Sequence, residues 1–186
     1  MERTLDPELA AAIRAVPAWA GLEPDAVTPL PAGITNRNFR VDLAGASYVV
    51  RLPGQDTALL GIDRTAEWEA TRAAAAAGVA PEPVAFLSEH GILVTRFLEA
   101  DPLLPEALAR GEILARVVTA IRTLHAMPAI PSRFSSFRVV REYRRIAAER
   151  GVPIPPAWAM ALERADEIEG AFQARPAPLV PCHNTC

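Results

Sequence analysis

The hydrophobic pattern changes from a period of two to a period near 3.6 at about residue 98, and this change constrains the fold more than any other feature. Before it, short apolar runs alternate with polar residues and end at turn residues, which is typical of strands. After it, apolar residues recur every three or four positions, which is typical of helices with one apolar face. A β-rich half followed by an α-rich half predicts an α+β fold with two lobes.

The first half predicts an antiparallel five-stranded sheet with one helix, in the order β-β-β-α-β-β. The stretches AVTPLPAG, NFRVDL and SYVVRLP are predicted strands, and Ala44 and Gly45 form a turn between the last two. The run IDRTAEWEATRAAAAAG predicts a helix that stops at Gly78, before two more strands in PVAFLS and GILVTRFL. A short helix with Asp6 as its N-cap and Pro7 in its first turn precedes the sheet.

The second half predicts three helices, in EILARVVTAIRTLHAM, FRVVREYRRIAAERG and PPAWAMALERADEIEGAFQA. The first has apolar residues at i, i+3 and i+4 spacing, so we expect it to bury one face that includes His125 as a core histidine. A catalytic histidine is the alternative. The predicted domains are an N-terminal helical extension (1–25), a sheet lobe (26–98), a hinge or linker (99–105) and part of a helical lobe (106–186).

Composition and charge exclude several classes of function. Among the 186 residues, acidic side chains outnumber basic ones by 22 to 19, and the net charge of −3 argues against nucleic-acid binding. No apolar run approaches the ~20 residues of a membrane span, and MERTLDPELAAAIRAV has no signal-peptide pattern. Both cysteines lie in the last five residues, which excludes a disulfide scaffold. We therefore expect a cytoplasmic protein.

The stretch LPAGITNRNFRV, between the first two predicted strands, has the composition of a phosphate-binding loop. Its single glycine and small polar residues let backbone N–H groups come close to a phosphate. The side chains of Thr35, Asn36 and Asn38 can add donors. An ordinary hairpin loop is the alternative.

Arg51 ends the apolar strand YVVRL and is the second candidate for phosphate binding. A guanidinium can bind phosphate oxygens in bidentate fashion, and it needs a carboxylate to hold it in place. The following helix offers Glu67 and Glu69 for that role. An outward-facing surface arginine is the alternative.

The stretch LVPCHNTC has two interpretations. Cys182, His183 and Cys186 are three soft ligands, but a closed structural zinc site normally has four, and the chain has no other cysteine. The alternative is the approach to a catalytic loop, with Cys182 as a small buried residue before His183.

The order of these parts resembles that of the protein-kinase-like small-molecule phosphotransferases, the choline/ethanolamine kinase and aminoglycoside phosphotransferase group. The chain is most similar to bacterial choline-kinase-like proteins. The resemblance runs from about Leu30 onward and rests on GITNRNFRV, YVVRLPG, IDRTAEWEA, GVAPEPVAF, LVTRFLEADPL, LHAMP and LVPCHN. It implies a protein-kinase-like fold, with a nucleotide-binding sheet lobe and an incomplete helical C-lobe that ends at the catalytic loop.

The resemblance also implies a binding site for ATP. The loop would cover the phosphates, Arg51 would contact them, and Glu67, with Glu69 as second choice, would hold Arg51. The stretch TRFLE would be the inter-lobe hinge whose backbone meets adenine. The residues so implied are Gly33, Ile34, Thr35, Asn36, Asn38, Arg51, Glu67, Thr95, Arg96, Phe97 and Leu98. Phosphoryl transfer depends mainly on positioning and charge neutralisation, which is why these parts matter.

The catalytic loop departs from the family's pattern. The family reads H-N/G-D, whereas Thr185 follows His183 and Asn184 here, and the family's later Mg²⁺ ligands have no counterpart. Threonine supplies neither the base nor the negative charge. The resemblance therefore implies an ATP- and Mg²⁺-dependent phosphotransferase for choline, ethanolamine or a similar amino alcohol that is inactive as written. Exposed apolar faces of the partial helical lobe are expected to favour self-association.

Two alternatives to this function stay open at the level of sequence. One is a non-catalytic nucleotide-binding protein that keeps the sheet lobe for regulation. The other is part of an enzyme that resembles the aminoglycoside phosphotransferases.

Overall fold

Five strands form one antiparallel sheet in the order β1-β2-β3-β5-β4. They are β1 (Ala26–Leu30), β2 (Asn36–Leu43), β3 (Ala46–Pro53), β4 (Pro83–Leu87) and β5 (Ile92–Arg96). The helices are α1 (Pro7–Ala15), α2 (Arg64–Ala76), α3 (Gly111–His125), α4 (Ser136–Glu149) and α5 (Trp158–Ala174), with 3₁₀ turns at Pro17–Trp19 and Pro105–Ala109. The predicted α+β class and the β-β-β-α-β-β order are confirmed.

The computed structural model describes residues 5–21, 23–31, 36–54 and 61–182. Five residues predicted for the site lie outside these ranges: Gly33, Ile34, Thr35, His183 and Asn184. None of the helices that the structure describes is long and apolar enough to cross a membrane.

The turn between β2 and β3 sets the register of the sheet. Ala44 and Gly45 both have positive φ, 50° and 77°, as a two-residue type I′ hairpin requires. This turn places Asn38 opposite Arg51 and Arg40 opposite Val49. A slip by one residue would move every polar side chain of β2 to the other face.

One face of the sheet packs against the N-terminal segment. The buried core there consists of Leu9, Ala12, Ile13, Val16, Trp19, Val41, Leu43, Val50, Leu52, Ile92 and Val94. Asp6 caps α1, because its Oδ1 accepts hydrogen bonds from Glu8 N at 2.9 Å and from Leu9 N at 3.3 Å. Side chains alternate along a strand, so the residues between these core positions face the other side of the sheet.

On that other side, α2 packs over the edge formed by β4 and β5. Trp68 of α2 stacks on Phe86 of β4, with ring centroids 5.6 Å apart. Asp63 caps the helix by accepting from Ala66 N at 2.9 Å. The helix therefore begins beside the sheet face that α1 leaves uncovered.

The chain divides into two units, one of Met1–Ile130 with Pro181–Cys186 and one of Pro131–Val180. In the second unit, Arg141 of α4 pairs with Asp166 and Glu169 of α5, and the rings of Phe137 and Phe172 lie 6.3 Å apart. The boundaries predicted at residues 98 and 105 remain a prediction.

Three expectations about burial are wrong. Helix α3 has no buried residue: its apolar Leu114 and Val118 are 47% and 41% exposed, and His125 is exposed rather than a core histidine. Cys182 is exposed rather than buried. Periodicity shows that a helix has an apolar face, but burial depends on whether another surface covers that face.

Candidate functional site

The sheet face opposite α1 carries most of the described side chains predicted for the site. Asn38 on β2 lies opposite Arg51 on β3, and Arg51 lies opposite Leu93 on β5. In the next row, Val49 lies opposite Thr95, whose side chain is buried. Asn36 precedes Asn38 by two residues and so belongs to the same face.

Arg51 is held by the predicted carboxylate of α2. Its Nη1 donates to Oε1 of Glu67 at 2.7 Å, and Oε2 of the same carboxylate accepts from Arg64 Nη1, also at 2.7 Å. Glu67 thus bridges two arginines, while Glu69 on the same helix is exposed. These three side chains, called the triad below, carry one net positive charge between them.

Neighbouring backbone holds Arg64 in this arrangement. Gly91, in the turn between β4 and β5, has φ +62°, and a Cβ there would lie 3.1 Å from Arg64 Cγ and 3.4 Å from Pro53 Cγ. The absence of a side chain at this turn therefore leaves room for the aliphatic stem of Arg64.

Two donor atoms of the triad have no partner within the described part of the chain. Arg51 Nε and Arg64 Nη2 are buried atoms with no hydrogen-bond partner among the residues that the structure describes. A buried donor without a partner costs about 1–3 kcal/mol. An anion placed against the triad would remove that cost and neutralise the excess charge.

A second polar cluster lies at the far end of the same face, around Arg40. Its Nε donates to Asp42 Oδ1 and its Nη2 to Ser47 Oγ, both at 3.0 Å, while Ser47 Oγ donates to Asp42 at 2.5 Å. Nη2 also lies 2.9 Å from Glu99 Oε1, and the guanidinium stands 4.4 Å from the centre of the Phe97 ring.

The contacts within this cluster lower the pKa of Asp42 and raise the pKa of Arg40. The Ser47 hydroxyl and then the Arg40 guanidinium lower the pKa of Asp42 below its usual value by hydrogen bonding to the carboxylate. The hydrogen bond to Asp42, with a smaller contribution from Glu99, raises the pKa of Arg40. Both groups are therefore charged near neutral pH.

The predicted hinge contributes side chains to both faces of the sheet. Thr95 belongs to the face of Arg51, whereas the Arg96 guanidinium lies over the Tyr48 ring at 4.9 Å and 3.6 Å from Glu82, on the other face. Phe97 N–H donates to the Ser47 carbonyl at 3.0 Å, and Leu98 is 60% exposed. The structure thus brings Thr95 and Phe97 to the face of Arg51, but not the side chain of Arg96.

Sequence reasoning missed Arg64 and the Arg40 cluster. Arg64 had a signal, because it precedes Glu67 by three residues and so shares its side of the helix. The second cluster had one too, since Asn36, Asn38, Arg40 and Asp42 are polar at every second position of β2. Within the described residues, no three His, Cys, Asp or Glu side chains are grouped closely enough to hold a metal ion.

Comparison with known proteins identifies the fold that carries this site. The model of the phosphotransferase enzyme family (APH) matches residues 26–185, which is most of the chain. The chain belongs to that family. The match includes β2, β3, α2 and the segment after β5, so the whole triad and the Arg40 cluster lie inside it.

Several proteins are similar to this family member. Protein LicA of Haemophilus influenzae is 29% identical over 161 residues, covering 82% of this chain and 45% of LicA. A choline/ethanolamine kinase family protein from Mesorhizobium loti has a TM-score of 0.71 at 32% identity, covering 95% of this chain and 56% of that one. Choline kinase LicA from Streptococcus pneumoniae has a TM-score of 0.72 at 19% identity, covering 95% and 61%.

The chain therefore spans about half the length of the curated relative that it matches. The protein-kinase-like fold predicted from the sequence is confirmed by these structural similarities. The sheet and its two polar clusters lie within the residues that the family model matches.

Proposed function

We propose that the sheet face bearing Arg51 binds the phosphates of ATP. We further propose that the chain is the nucleotide-binding part of an enzyme that phosphorylates a hydroxyl group of choline, ethanolamine or a similar amino alcohol. The observation that carries the proposal is the triad in which Glu67 holds both Arg51 and Arg64 at 2.7 Å. A paired cation with unused donors is a suitable partner for phosphate oxygens.

The charge of the triad favours an anion over a neutral ligand. Glu67 neutralises one arginine and orients both, so one positive charge faces the ligand. Because the Arg51 side chain is 39% exposed, its ion pair contributes only on the order of 1 kcal/mol to stability. The pair is thus better explained by orientation of Arg51 than by its contribution to folding.

The adenine part of the proposal is supported by a structural neighbour. A LicA structure in complex with AMP shares this fold, with a TM-score of 0.72 at 17% identity. Thr95 and Phe97, in the stretch Thr95 to Glu99 that the resemblance implies as the hinge, lie on the same sheet face as Arg51. The amino-alcohol acceptor is supported by the similarity to choline and ethanolamine kinases.

Among the described residues, no three His, Cys, Asp or Glu side chains are grouped closely enough to hold a metal ion by themselves. We therefore assign no step to a metal ion held by these residues. We also propose that the 186-residue chain alone does not transfer phosphate, since Thr185 stands where the family has an aspartate. The check is an assay of ATP-dependent phosphorylation of choline and ethanolamine; turnover that Arg51→Ala abolishes would contradict it.

Calorimetric titration with ATP and MgCl₂ tests the phosphate site. We expect Arg51→Met to weaken ATP binding roughly 10- to 100-fold, since a hydrogen bond to a charged group is worth about 1.5–3 kcal/mol and 1.4 kcal/mol is tenfold. Glu67→Gln should weaken it less, because Arg51 then loses orientation but keeps its charge.

Glu69→Gln is the matched control, with the same change on the same helix at an exposed position, and should leave ATP affinity unchanged. Unaltered ATP affinity in folded Arg51→Met would exclude Arg51 as the phosphate contact. Wild-type protein that binds no ATP at millimolar concentration would exclude the nucleotide-binding function.

A further inference from the structure

Arg40 contacts parts of the chain that are far apart in sequence. Nε and Nη2 make the contacts to Asp42, Ser47 and Glu99, and the guanidinium carbon lies 4.4 Å from the centre of the Phe97 ring. A planar guanidinium with hydrogen-bond partners at two of its nitrogens and an aromatic ring against its face has few alternative orientations.

The contacts connect β2 to the segment that follows β5. Ser47 contacts both parts: its carbonyl accepts from Phe97 N–H at 3.0 Å, and its hydroxyl accepts from Nη2 of Arg40 on β2. Glu99 is 72% exposed and its ion pair is weak in energy, so the pair fixes direction more than it stabilises the fold. Phe97 and Glu99 are thus held near the sheet by the Ser47 carbonyl and by the Arg40 guanidinium.

The Arg40 cluster and the Arg51 triad lie on one face, at different distances along it. Ser47 and Arg51 are four residues apart on β3, which corresponds to about 13 Å at ~3.3 Å per residue. A single ligand must therefore be extended to reach both clusters, and each cluster then contacts a different part of it. If the triad receives phosphate, the segment 97–99 borders the opposite end of that ligand.

We propose that Arg40 is a positioning residue for the nucleotide base, acting by holding Phe97 and Glu99 in the place where the base binds. This inference rests on the proposed nucleotide-binding function and adds a residue to it. Arg40 touches the hinge rather than the ligand. Preorganising a binding segment raises affinity because less ordering is needed on binding.

A role in base positioning and a merely structural role lead to different results with partial ligands. We compare adenosine, ATP and inorganic tripolyphosphate by calorimetry on wild type and Arg40→Met. The expected result is a loss of about tenfold in affinity for adenosine and for ATP, which is ~1.4 kcal/mol, with tripolyphosphate affinity unchanged. Arg51→Met should give the reverse pattern, weakening ATP and tripolyphosphate but not adenosine.

Arg37→Met is the matched control. Arg37 lies on the same strand and also has two acidic partners, Asp6 and Glu8, but it belongs to the opposite face of the sheet. We expect it to lower stability without altering the affinity for adenosine. Arg40→Lys keeps the charge but not the planar contacts, and should recover only part of the lost affinity.

Glu99→Gln tests the same inference if Arg40→Met does not fold. Because Glu99 is exposed, the substitution leaves the core intact, and it should weaken adenosine binding about two- to threefold. If Arg40→Met lost equal affinity for adenosine and for tripolyphosphate, the inference alone would be overturned. The same holds if Arg40→Met bound adenosine no more weakly than Arg37→Met does. Wild-type protein that binds neither ATP nor adenosine would overturn both this inference and the proposed function.

Discussion

Asp42 is held in its ionised form by two neighbours on the same sheet face. The Ser47 hydroxyl and Arg40 lower the pKa of its carboxyl group in the folded state. In the unfolded chain the group titrates near 3.9. The ionised carboxylate therefore stabilises the fold above about pH 4, and this contribution is lost as the pH falls through the lower, folded-state pKa.

We predict that Asp42→Asn reduces the pH dependence of stability in the acid range. The free energy of unfolding of wild type should fall more steeply from pH 5 to about pH 3 than that of the variant. In this range the unfolded wild-type chain takes up a proton at position 42 more readily than the folded protein does, and the variant has no such group. Urea denaturation at each pH measures the difference. Asp101→Asn, at an exposed position, is the control, and identical slopes for wild type and Asp42→Asn would contradict the assignment.

Gly91 supports the triad through its backbone conformation and through its lack of a side chain. We predict that Gly91→Ala lowers the free energy of unfolding by roughly 1–2 kcal/mol for the positive φ, with an additional loss from the contact with Arg64. Gly45→Ala isolates the first effect, since Gly45 also has positive φ but a Cβ there would meet no atom of the described residues within 4 Å. Equal losses in chemical denaturation would show that Arg64 moves aside at no cost.

At the scale of elements, the association of α1 with the sheet is the main hydrophobic contact of the first unit. Leu9 is 1% exposed and belongs to the same cluster as Val41, Val50 and Val94. Strands β2, β3 and β5 each present apolar residues at every second position to this helix. The residues between them on the same strands therefore face the other side of the sheet, where the candidate site lies.

We predict that Leu9→Ala lowers the free energy of unfolding by about 2–5 kcal/mol, because it leaves a cavity between α1 and the sheet. Leu114→Ala in α3 makes the same change at a position that is 47% exposed, and should cost below about 1 kcal/mol. Urea denaturation of both variants checks the comparison. Similar losses would mean that α1 contributes no more to the fold than α3 does.

The elements themselves follow from local sequence, as particular residues show. Asp6 and Asp63 each cap a helix through a hydrogen bond from the first turn. Ala44 and Gly45 form the two-residue turn that the flanking alternation requires. These signals are short in range, so they could be predicted without knowledge of the fold.

At the scale of the whole molecule, burial is unequal between the two units. The sheet contains residues with no exposed surface, such as Val41, Val50 and Leu52, whereas α4 and α5 contain no buried residue. Segments with few buried apolar contacts open at low free-energy cost. Ion pairs such as those of Arg141 are exposed and contribute little.

We predict that amides in α4 and α5 exchange with deuterium much faster than those in β2 and β3. Local opening of the helices exposes their N–H groups without unfolding the sheet. Hydrogen exchange followed by mass spectrometry of peptides from each element measures the rates. Protection of α4 equal to that of β3 would contradict the prediction.

The candidate site could be predicted only in part. Arg51 stood out because a cation ended an apolar strand, and Glu67 lay on the following helix. The choice of Glu67 over Glu69 in the structure depends on the rotation of α2 against the sheet, which local sequence does not set. The association of Arg40 with Phe97 and Glu99 also had no local signal, since these residues meet only when β3 lies between β2 and β5.

The sequence by itself determined the strands, the helices, their caps and the family pattern, because these depend on residues close together along the chain. The tertiary structure decided which polar residues share a face, which carboxylate holds Arg51 and which apolar helix faces are covered. The physical reason is that contacts between distant segments depend on strand order, register and helix rotation. Those quantities are set by packing of the whole unit and not by any single stretch of sequence.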